Sequence, residues 1–326
     1  MGDGTDWLLD ADPAIRWQVL RDLMDVPAAE VVAERARVAE AGWGKRLLGL
    51  QADGLWAGGA CFPSSAWRPP GPAVGDSNGQ PWTATLPTLR LLRDFGIDPS
   101  YPAVRAAVGG VRQHCTWEYA GEPFFDGEVE PCINGGTVAI GAYFGENVEN
   151  IVVRLLGEQL DDGGWNCEAE RGSTRSSFHS TMCVLEGLLE YERAGGTMPV
   201  GDARRRGEEY LLARSLFRRA STGQIVDPDW LQFSFPAQWH YDILRGLEYF
   251  RSADTRDPRL AEAVEVVRDK QQPDGTWLLE NTHQGLIHFE MEEGDGKPSR
   301  WNTLRALRVL RWYDAEQPRP PGHERR

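Results

Sequence analysis

The chain has 326 residues, 41% of them apolar and 26% charged, which is typical of a globular protein with a full core. Its 35 Lys and Arg against 49 Asp and Glu give a net charge of −14, which argues against a nucleic-acid partner, because such binding needs a concentrated basic face. The sequence has no apolar run of about 18 residues and no apolar leader, so we expect neither a membrane span nor a secretory signal. Its five cysteines, an odd number, favour reduced thiols and a cytoplasmic location.

Apolar helices alternate with more polar ones along the chain. Apolar residues at helical spacing follow a turn or a small polar cluster at six places, which begin at Pro13, Pro81, Pro131, Ser177, Gln238 and Arg300. More polar helical stretches lie between them, over residues 29–48, 101–114, 148–160, 203–214 and 258–270. This alternation predicts an all-α fold, a single (α/α)6 toroid or barrel of inner and outer helices over residues 1–316, with a disordered tail at 317–326.

One phrase that ends in tryptophan occurs three times. It runs from Gln to Trp over residues 51–56, 159–165 and 271–277, each time with an Asp-Gly pair before the tryptophan. Asp-Gly favours a turn, and tryptophan offers a large face for packing against the next helix. We therefore interpret the three phrases as structural connections between helices.

These phrases resemble the QW motifs of the squalene and terpenoid cyclases, and the alternation of helices is similar to that of the protein prenyltransferase β-subunits. The resemblance implies an α/α toroid and an apolar, isoprenoid-like substrate. Cyclases of this family that protonate an alkene use an Asp-x-Asp-Asp acid, and this sequence contains none. A cyclase of the protonating type is therefore disfavoured.

A second resemblance concerns a metal site. In the prenyltransferase β-subunits a Gly-Gly-x-x-Asp turn precedes a Tyr-His pair whose histidine is a zinc ligand, and here the Gly-Gly turn at 163–164 precedes His179. Upstream, Glu130-Pro-Cys132 stands where the family has an Asp-x-Cys. The resemblance therefore implies His179 and Cys132 as zinc ligands, and Glu130 as a carboxylate ligand or catalytic group.

This sequence departs from the family pattern at two positions. Cys167 takes the place of the aspartate in the Gly-Gly turn, and Phe178 takes the place of the tyrosine. Cys167 is therefore an additional or a replacement ligand. The expected zinc set is Cys132, Cys167 and His179.

Zinc suits this set, because thiolate and imidazole are borderline-soft ligands and three of them leave one tetrahedral position open. That position is open to Glu130, His240 or water. His240 is also the candidate general base, because imidazole titrates near neutral pH. Cys132 begins a predicted helix, and the partial positive charge of the helix end is expected to lower the pKa of its thiol.

The first turns of the inner helices are expected to line a central aromatic cavity. The predicted substrate-binding residues are Trp82, Asn134, Phe178, Trp239, Tyr241, Trp301 and Arg300. Aromatic faces suit an isoprenoid and stabilise a developing carbocation by about 0.5–2 kcal/mol per contact, although the same side chains would serve equally as core. Arg16, Arg175 and Arg300 are candidates to bind an anionic group such as a diphosphate.

These features favour a metal-dependent transferase, cyclase or lyase that acts on an apolar substrate. Two alternatives stay open. The first is a non-catalytic toroid that binds a lipophilic ligand or a partner, with a structural metal or none. The second is a metal-free cyclase whose acid is a carboxylate such as Asp242, Glu290 or Glu292. The sequence identifies no partner subunit.

Overall fold

Helices dominate the fold in residues 4–315, the part of the chain that the computed structural model describes. The α-helices are α1 (Thr5–Leu9), α2 (Pro13–Asp22), α3 (Ala28–Ala36), α4 (Gly42–Leu48), α5 (Thr85–Asp94), α6 (Pro102–His114), α7 (Pro131–Phe144), α8 (Glu149–Gly157), α9 (Phe178–Arg193), α10 (Gly201–Leu212), α11 (Ile243–Ala253), α12 (Ala261–Asp269) and α13 (Arg300–Asp314). Short 3-10 helices cover Arg37–Ala39, Phe124–Asp126, Cys167–Arg171, Pro228–Leu231 and Pro258–Leu260. The predicted tail at 317–326 lies outside the described residues.

Two short antiparallel strand pairs accompany the helices. β1 (Val74–Gly75) pairs with β3 (Leu286–Ile287), and β2 (Trp277–Leu278) pairs with β4 (Pro298–Ser299). Each strand has only two residues, so the pairs connect loops locally and do not form a separate layer of the fold.

Burial divides the helices into two classes that alternate along the chain. Every residue of α5 from Thr85 to Leu92 is buried, whereas α3 buries none of its residues. Like α5, the helices α2, α7, α9, α11 and α13 are largely buried, and α6, α8, α10 and α12 bury one apolar face. This alternation confirms the prediction of an all-α toroid with inner and outer helices.

Hydrogen bonds between the first and last helices close the ring. Arg308 on α13 donates from Nη1 to Oε1 of Gln18 on α2 at 2.8 Å. Gln18 in turn donates from Nε2 to the carbonyl of Asp94, the last residue of α5, at 3.0 Å. Arg300, at the start of α13, donates to the carbonyl of Trp7 on α1 at 2.8 Å. The inner helices α13, α2 and α5 are therefore consecutive neighbours around the ring.

Four of the six inner helices begin within one residue of the predicted position, and α5 begins later, at Thr85. The backbone N–H of Trp82 donates to the carbonyl of Leu286 at 2.7 Å, beside the pairing of β1 with β3. This bond holds the segment after Pro81 against β3, so the helix starts only after it.

Helix α11 also begins later than predicted, at Ile243 instead of Gln238. Gln238 has a φ of 51°, in the left-handed region, which a helix cannot contain. Asp242 then caps the helix by accepting the N–H of Arg245 at 2.7 Å. The predicted outer helix at 29–48 is likewise divided: α3 ends at Ala36, and α4 begins only at Gly42, whose φ of 62° breaks the helical path.

The three tryptophan phrases make the same contacts. Their tryptophans are fully buried, and each indole Nε1 donates at 2.7 Å to a carbonyl near the end of the preceding outer helix: Trp56 to Leu47, Trp165 to Leu155 and Trp277 to Val267. Each tryptophan N–H donates to a threonine hydroxyl in the first turn of the next inner helix, namely Thr85, Thr181 and Thr303. The phrases therefore join outer helices to the inner helices that follow, which confirms their structural interpretation.

Helices α7 and α9 approach each other closely at glycines. Gly135 on α7 lies against the backbone of Cys183 on α9, and Gly187 on α9 lies against the carbonyl of Gly135. A Cβ atom at either glycine would overlap the backbone of the other helix. This approach holds the beginnings of α7 and α9 side by side, where the candidate site lies.

Candidate metal and substrate site

A cavity of about 540 Å³ opens beside the beginnings of α7 and α9. Its apolar lining comes from Phe62, Trp82, Leu86, Pro87, Ile133 and Trp239. Its polar lining includes Arg90, Glu130, Cys132, Cys167, His179 and Gln238. We call it the cysteine cavity, because two cysteines lie together on its wall.

Three potential metal ligands meet on that wall. Glu130, Cys132 and Cys167 each offer one ligand atom, and these atoms all lie within 4.8 Å of one another. The two Sγ atoms are 2.9 Å apart, and Sγ of Cys132 is 3.5 Å from Oε2 of Glu130. The sulfurs are farther apart than the about 2.05 Å of a disulfide bond, and both thiols are free. The structure thus brings together two of the three predicted ligands and the predicted carboxylate.

Regular secondary structure holds the two cysteines in place. Cys132 is the second residue of α7, directly after the proline that begins the helix. Cys167 begins a 3-10 helix that Asn166 caps by accepting the N–H of Glu168 at 2.9 Å. The hydroxyl of Ser180, in the first turn of α9, lies 3.3 Å from Sγ of Cys167. Cys132 therefore lies in the first turn of a long helix and Cys167 on a short, capped 3-10 helix, and neither thiol is on a free loop.

The hydrogen bond between the two sulfurs shifts the pKa values of the two thiols in opposite directions. It raises the pKa of Cys132, which burial raises further, and it lowers the pKa of Cys167, as does the hydroxyl of Ser180. The expectation that the helix end lowers the pKa of Cys132 is therefore wrong. A thiol that is buried beside another sulfur and the Glu130 carboxylate keeps its proton, so Cys167 ionises first.

His179 lies on the same wall but outside the set of three. Its Nδ1 accepts the backbone N–H of Tyr241 at 2.9 Å. A neutral imidazole whose Nδ1 accepts a hydrogen bond carries its proton on Nε2, so Nε2 is a donor here and offers no lone pair to a metal. Burial lowers the pKa of His179 to about 4, which keeps the ring neutral at pH 7.

His240 lies behind the cavity wall. Its ring stacks between those of Trp239 and His283, with both centroids 3.7 Å away, and its Nδ1 has no partner in the described residues. Burial, together with the nearby His283 and His179, lowers the pKa of His240 to about 3. Its ring centroid is 6.2 Å from that of His179, and the stacking supports Trp239, which does reach the cavity.

The predicted aromatic residues divide between the cavity and the core. Trp82 and Trp239 line the cavity, and Nε1 of Trp239 donates to the Gln80 side chain at 3.0 Å. Phe178 and Tyr241 instead pack against a buried tryptophan, Trp230, with centroids 4.5 and 5.3 Å away. They stabilise the start of α9 from behind the wall.

Three other predicted substrate-binding residues also hold the fold together. Trp301 is 2% exposed and stacks on Phe235 at a centroid distance of 4.3 Å. Asn134 is fully buried and bonds to both the N–H and the carbonyl of Glu128 at 2.7 Å. Arg300 is bound to the Trp7 carbonyl and lies over that indole ring. The other arginine candidates lie elsewhere, since Arg16 pairs with Glu34 and Arg175 is exposed.

Two wall residues, Arg90 and Gln238, are missing from the sequence predictions. Arg90 belongs to α5, where it lies between two buried leucines and is itself only 7% exposed. An arginine on a helix that is buried on all sides is the signal that would have found it. Gln238 carried no comparable signal, because its burial depends on the left-handed backbone at that residue.

A segment at the cavity rim is held by one carboxylate. Glu118 accepts the backbone N–H groups of Ala60, Cys61 and Phe62 at 2.8–3.1 Å. Cys61 and Phe62 line the cavity, and the Phe62 side chain is 48% exposed. This part of the long Pro- and Gly-rich loop therefore forms one edge of the opening.

A second cavity, of about 250 Å³, shares Arg90 and Gln238 with the first. Its other charged lining residues are Arg93, Asp94, Glu186, Glu190, Arg193, Arg245, Glu248, Arg305 and Arg308. They come from the inner helices α5, α9, α11 and α13. We call it the arginine cavity.

Ion pairs fill much of the arginine cavity. Arg245 donates to both carboxylate oxygens of Glu186 at 2.8 Å, and Arg308 donates to Glu248 at 2.7 and 2.8 Å. Burial alone would raise the pKa of each carboxyl group, but the paired guanidinium groups lower both to about 2. These pairs are charge-matched and largely shielded from water, with side-chain exposures of 7–21%.

The carboxylates proposed as acids for a metal-free cyclase lie away from both cavities. Asp242 caps α11 and accepts the hydroxyl of Ser234 at 2.9 Å. Glu292 accepts the hydroxyl of Ser299 at 2.7 Å and the N–H of Trp301 at 3.1 Å, at the start of α13. Glu290 is exposed. The first two are helix caps, which gives them a structural role.

No protein-family model matches the chain, and a search of curated proteins finds no match. Among solved structures, the type II terpene cyclase MstE from Scytonema, without ligand, matches with 14% identity and a TM-score of 0.43, over 93% of this chain and 87% of that one. Two variants of that cyclase in complex with geranylgeranyl dihydroxybenzoate match with 13% and 12% identity and TM-scores of 0.40 and 0.41, over 93% and 92% of this chain and 86% and 85% of theirs. These are similarities of fold. None of the helices in residues 4–315 is long and apolar enough to cross a membrane.

Proposed function

We propose that this chain is a zinc-dependent enzyme that acts on an apolar, isoprenoid-like substrate in the cysteine cavity. The observation that supports it best is the meeting of Glu130, Cys132 and Cys167 on the wall of a cavity whose remaining surface is largely apolar. Two sulfur ligands and one oxygen ligand suit zinc, and three protein ligands leave one position for water or substrate. Zinc in such a site supplies Lewis-acid polarisation or an activated nucleophile.

The other wall residues have roles that follow from their chemistry. Trp82 and Trp239 exclude water and present aromatic faces to an apolar chain, which also suits a substrate that develops positive charge. His179, neutral and protonated on Nε2, acts as a hydrogen-bond donor to a substrate oxygen. His240 holds Trp239 in place by stacking. The reaction is one of transfer, cyclisation or hydrolysis.

This ligand set differs from the one that the family resemblance implies in a single residue. Glu130 joins the two cysteines, and His179 stands beside the set, because its Nδ1 is committed to the N–H of Tyr241. A histidine that binds a metal through Nε2 donates its Nδ1–H to a carbonyl or a carboxylate, which is the opposite arrangement. The two ligand sets predict different zinc contents for the variant His179→Gln.

Metal analysis of the purified full chain tests the proposal. About one zinc per chain is expected in the wild type, and Cys132→Ser and Cys167→Ser should each lose it while the helical circular dichroism persists. His179→Gln should keep its zinc. Cys61→Ser is the matched control, because Cys61 lines the same cavity but lies outside the ligand set. Wild-type protein that stays metal-free after zinc is offered would refute the proposal, and zinc lost from His179→Gln would restore the histidine to the set.

Activity is tested separately from metal content. The full chain is incubated with isoprenoid alcohols, acids and diphosphates, and substrate consumption is followed by mass spectrometry before and after chelation and zinc return. We expect turnover that chelation removes and zinc restores. Turnover that survives chelation would favour the metal-free alternative. Cobalt-substituted protein whose visible spectrum ignores added small ligands would indicate a closed, structural metal.

A further inference from the structure

Arg90 has no hydrogen-bond or ion-pair partner among the described residues, although its side chain is 93% buried, the complement of its 7% exposure. It lines both the cysteine cavity and the arginine cavity. None of its nitrogens is among the fully enclosed unpartnered atoms of the described residues, so the guanidinium faces the open cavity. A largely buried guanidinium that has no protein partner and faces a cavity is placed to bind an anion there.

The other arginines of the arginine cavity all have partners. Arg245 and Arg308 pair with carboxylates, as described above, and Arg93 pairs with Asp94 at 2.9 Å. Arg305 donates to the Ser234 carbonyl at 2.9 Å, and Arg193 donates to a backbone carbonyl. Glu186, the carboxylate whose charge Arg90 senses, is already bound at both oxygens by Arg245. Arg90 therefore keeps an unneutralised positive charge at the cysteine cavity.

The surroundings of Arg90 leave room for this charge and its ligand. Gly136 on α7 lies against Nη2 of Arg90, and a Cβ atom at that glycine would overlap the guanidinium. Gln238 lines both cavities beside Arg90, is 5% exposed, and its side-chain amide has no partner within residues 4–315. One guanidinium and one amide thus offer several N–H donors at the junction of the two cavities.

Charge balance selects the kind of anion. Among the described residues that line the cysteine cavity, Arg90 is the one cationic side chain, and Glu130 and Glu168 are carboxylates. Zinc held by the Glu130 carboxylate and the cysteine thiolates carries no net positive charge, so a diphosphate, with several negative charges, would meet Arg90 as the one uncompensated cation and Glu168 as a like charge. A carboxylate matches a single guanidinium in both charge and planar geometry. We propose that Arg90, assisted by Gln238, binds the carboxylate of an otherwise apolar substrate. This inference rests on the proposed function and adds the substrate's head group to it.

Binding of three ligands with the same apolar chain tests the inference. Farnesoic acid, farnesol and farnesyl diphosphate are titrated calorimetrically into the zinc-loaded full chain. The acid should bind the wild type about 10- to 100-fold more tightly than the alcohol, the range expected for a charge-assisted hydrogen-bonded pair. Arg90→Gln should remove this preference and leave the affinity for farnesol unchanged. Gly136→Ala, which displaces the guanidinium, should reduce the preference in a chain that keeps Arg90.

Arg193→Gln is the control, because Arg193 is exposed and lines the arginine cavity only. Thermal unfolding gives a second readout: Arg90→Gln should raise the midpoint, since it removes an unpaired buried charge, whereas a purely structural arginine would lower it. An acid preference that survives in Arg90→Gln, or tighter binding of the diphosphate than of the acid, overturns the inference. If the acid fails but farnesol binds and zinc is present, the inference alone fails. If neither binds and zinc is absent, the proposed function fails with it.

Discussion

The arginine cavity and the cysteine cavity differ in whether the arginines on their walls have ion-pair partners. In the arginine cavity Arg245 and Arg308 are locked to Glu186 and Glu248, so that the charges satisfy one another. Arg90, at the junction of the arginine cavity with the cysteine cavity, is buried to a similar extent but has no partner in the described chain. The same ring of helices therefore contains arginines whose charges are neutralised by carboxylates of the fold and one arginine whose charge remains available to a ligand.

This difference shows why burial alone does not identify a functional arginine. All of these side chains are buried on inner helices, and only the inventory of their partners separates them. A paired guanidinium contributes to the stability of the fold. An unpaired buried guanidinium lowers stability and is retained only where it serves a function.

Arg245→Gln should lower the free energy of unfolding by about 2–4 kcal/mol, because it removes both hydrogen bonds to the largely buried Glu186 carboxylate and leaves only the charges of Arg93 and Arg90 to compensate it. Urea unfolding followed by circular dichroism measures the loss. Arg245→Gln combined with Glu186→Gln is the matched control and should recover much of it. An effect below about 1 kcal/mol would show that the pair is not buried as the structure indicates.

Acid should weaken the fold in two separate pH windows, of which the lower one belongs to the ion pairs of the arginine cavity. His288, whose Nε2 lies 2.8 Å from the Thr88 hydroxyl on α5, has its pKa lowered by burial from 6.5 to about 4. The unfolded chain therefore binds more protons than the folded one between these values, so stability falls, by on the order of 2–3 kcal/mol, as the pH drops from about 6.5 to about 4.

Glu186 and Glu248 act at lower pH. Their pKa values fall from 4.5 to about 2 on folding, so the stability they provide is complete above about 4.5 and is lost as the pH falls toward 2. Urea midpoints measured across this range should show both windows. His288→Gln should reduce the upper window by the share of His288 and leave the lower one, because the buried His179 and His240 also take up protons on unfolding in the upper window. A single transition that begins below pH 4 would contradict the assignment.

Trp165→Phe should lower the free energy of unfolding by about 1–2 kcal/mol, because it removes the indole donor to the buried Leu155 carbonyl while keeping an aromatic ring. Trp56→Phe is the matched variant and should lose a similar amount, since its contact to Leu47 is the same. Thermal unfolding of both proteins gives the comparison. A large difference between the two variants would mean that the repeated phrases are not equivalent in energy.

Arg171→Ala should change the free energy of unfolding by less than about 0.5 kcal/mol. Arg171 pairs with Glu168 at 3.1 Å, but the two side chains are 80% and 58% exposed, so water and salt screen the pair. Measured beside Arg245→Gln under the same conditions, it sets the lower end of the scale. A loss comparable to that of the buried pair would remove burial as the explanation.

The fold was accessible from the sequence because its signals are local and repeated. Helical spacing, turn residues and the tryptophan phrases predicted the six inner helices, and the errors at α5 and α11 have specific causes. The N–H of Trp82 bonds to Leu286, far away in the sequence, and Gln238 adopts a left-handed backbone. Neither cause can be recognised from neighbouring residues, because each depends on what the chain meets after it has folded.

The site was accessible only in part, because the sequence gives residue types and the structure gives their partners. The resemblance of Cys132 and His179 to the family's zinc ligands, and the position of Cys167 in the Gly-Gly turn, were enough to suggest that the two cysteines share a site. The hydrogen bond that Tyr241 donates to His179, and the pairing that leaves Arg90 alone, are tertiary facts. The role of Trp301 could not be predicted for the same reason. An aromatic residue on an inner helix packs in the core or lines a cavity depending on its neighbours in the folded chain.

The closure of the ring through Gln18 and Arg308 has a topological consequence. A closed ring of helices has no intrinsic first member, and α1 and α13 already lie together through the bond between Arg300 and Trp7. A circular permutant that links α13 to α1 and opens the chain at the exposed Gly195, between α9 and α10, would keep every neighbour relation of the toroid. The fold would then be defined by the order of the helices around the ring and not by the position of the chain ends.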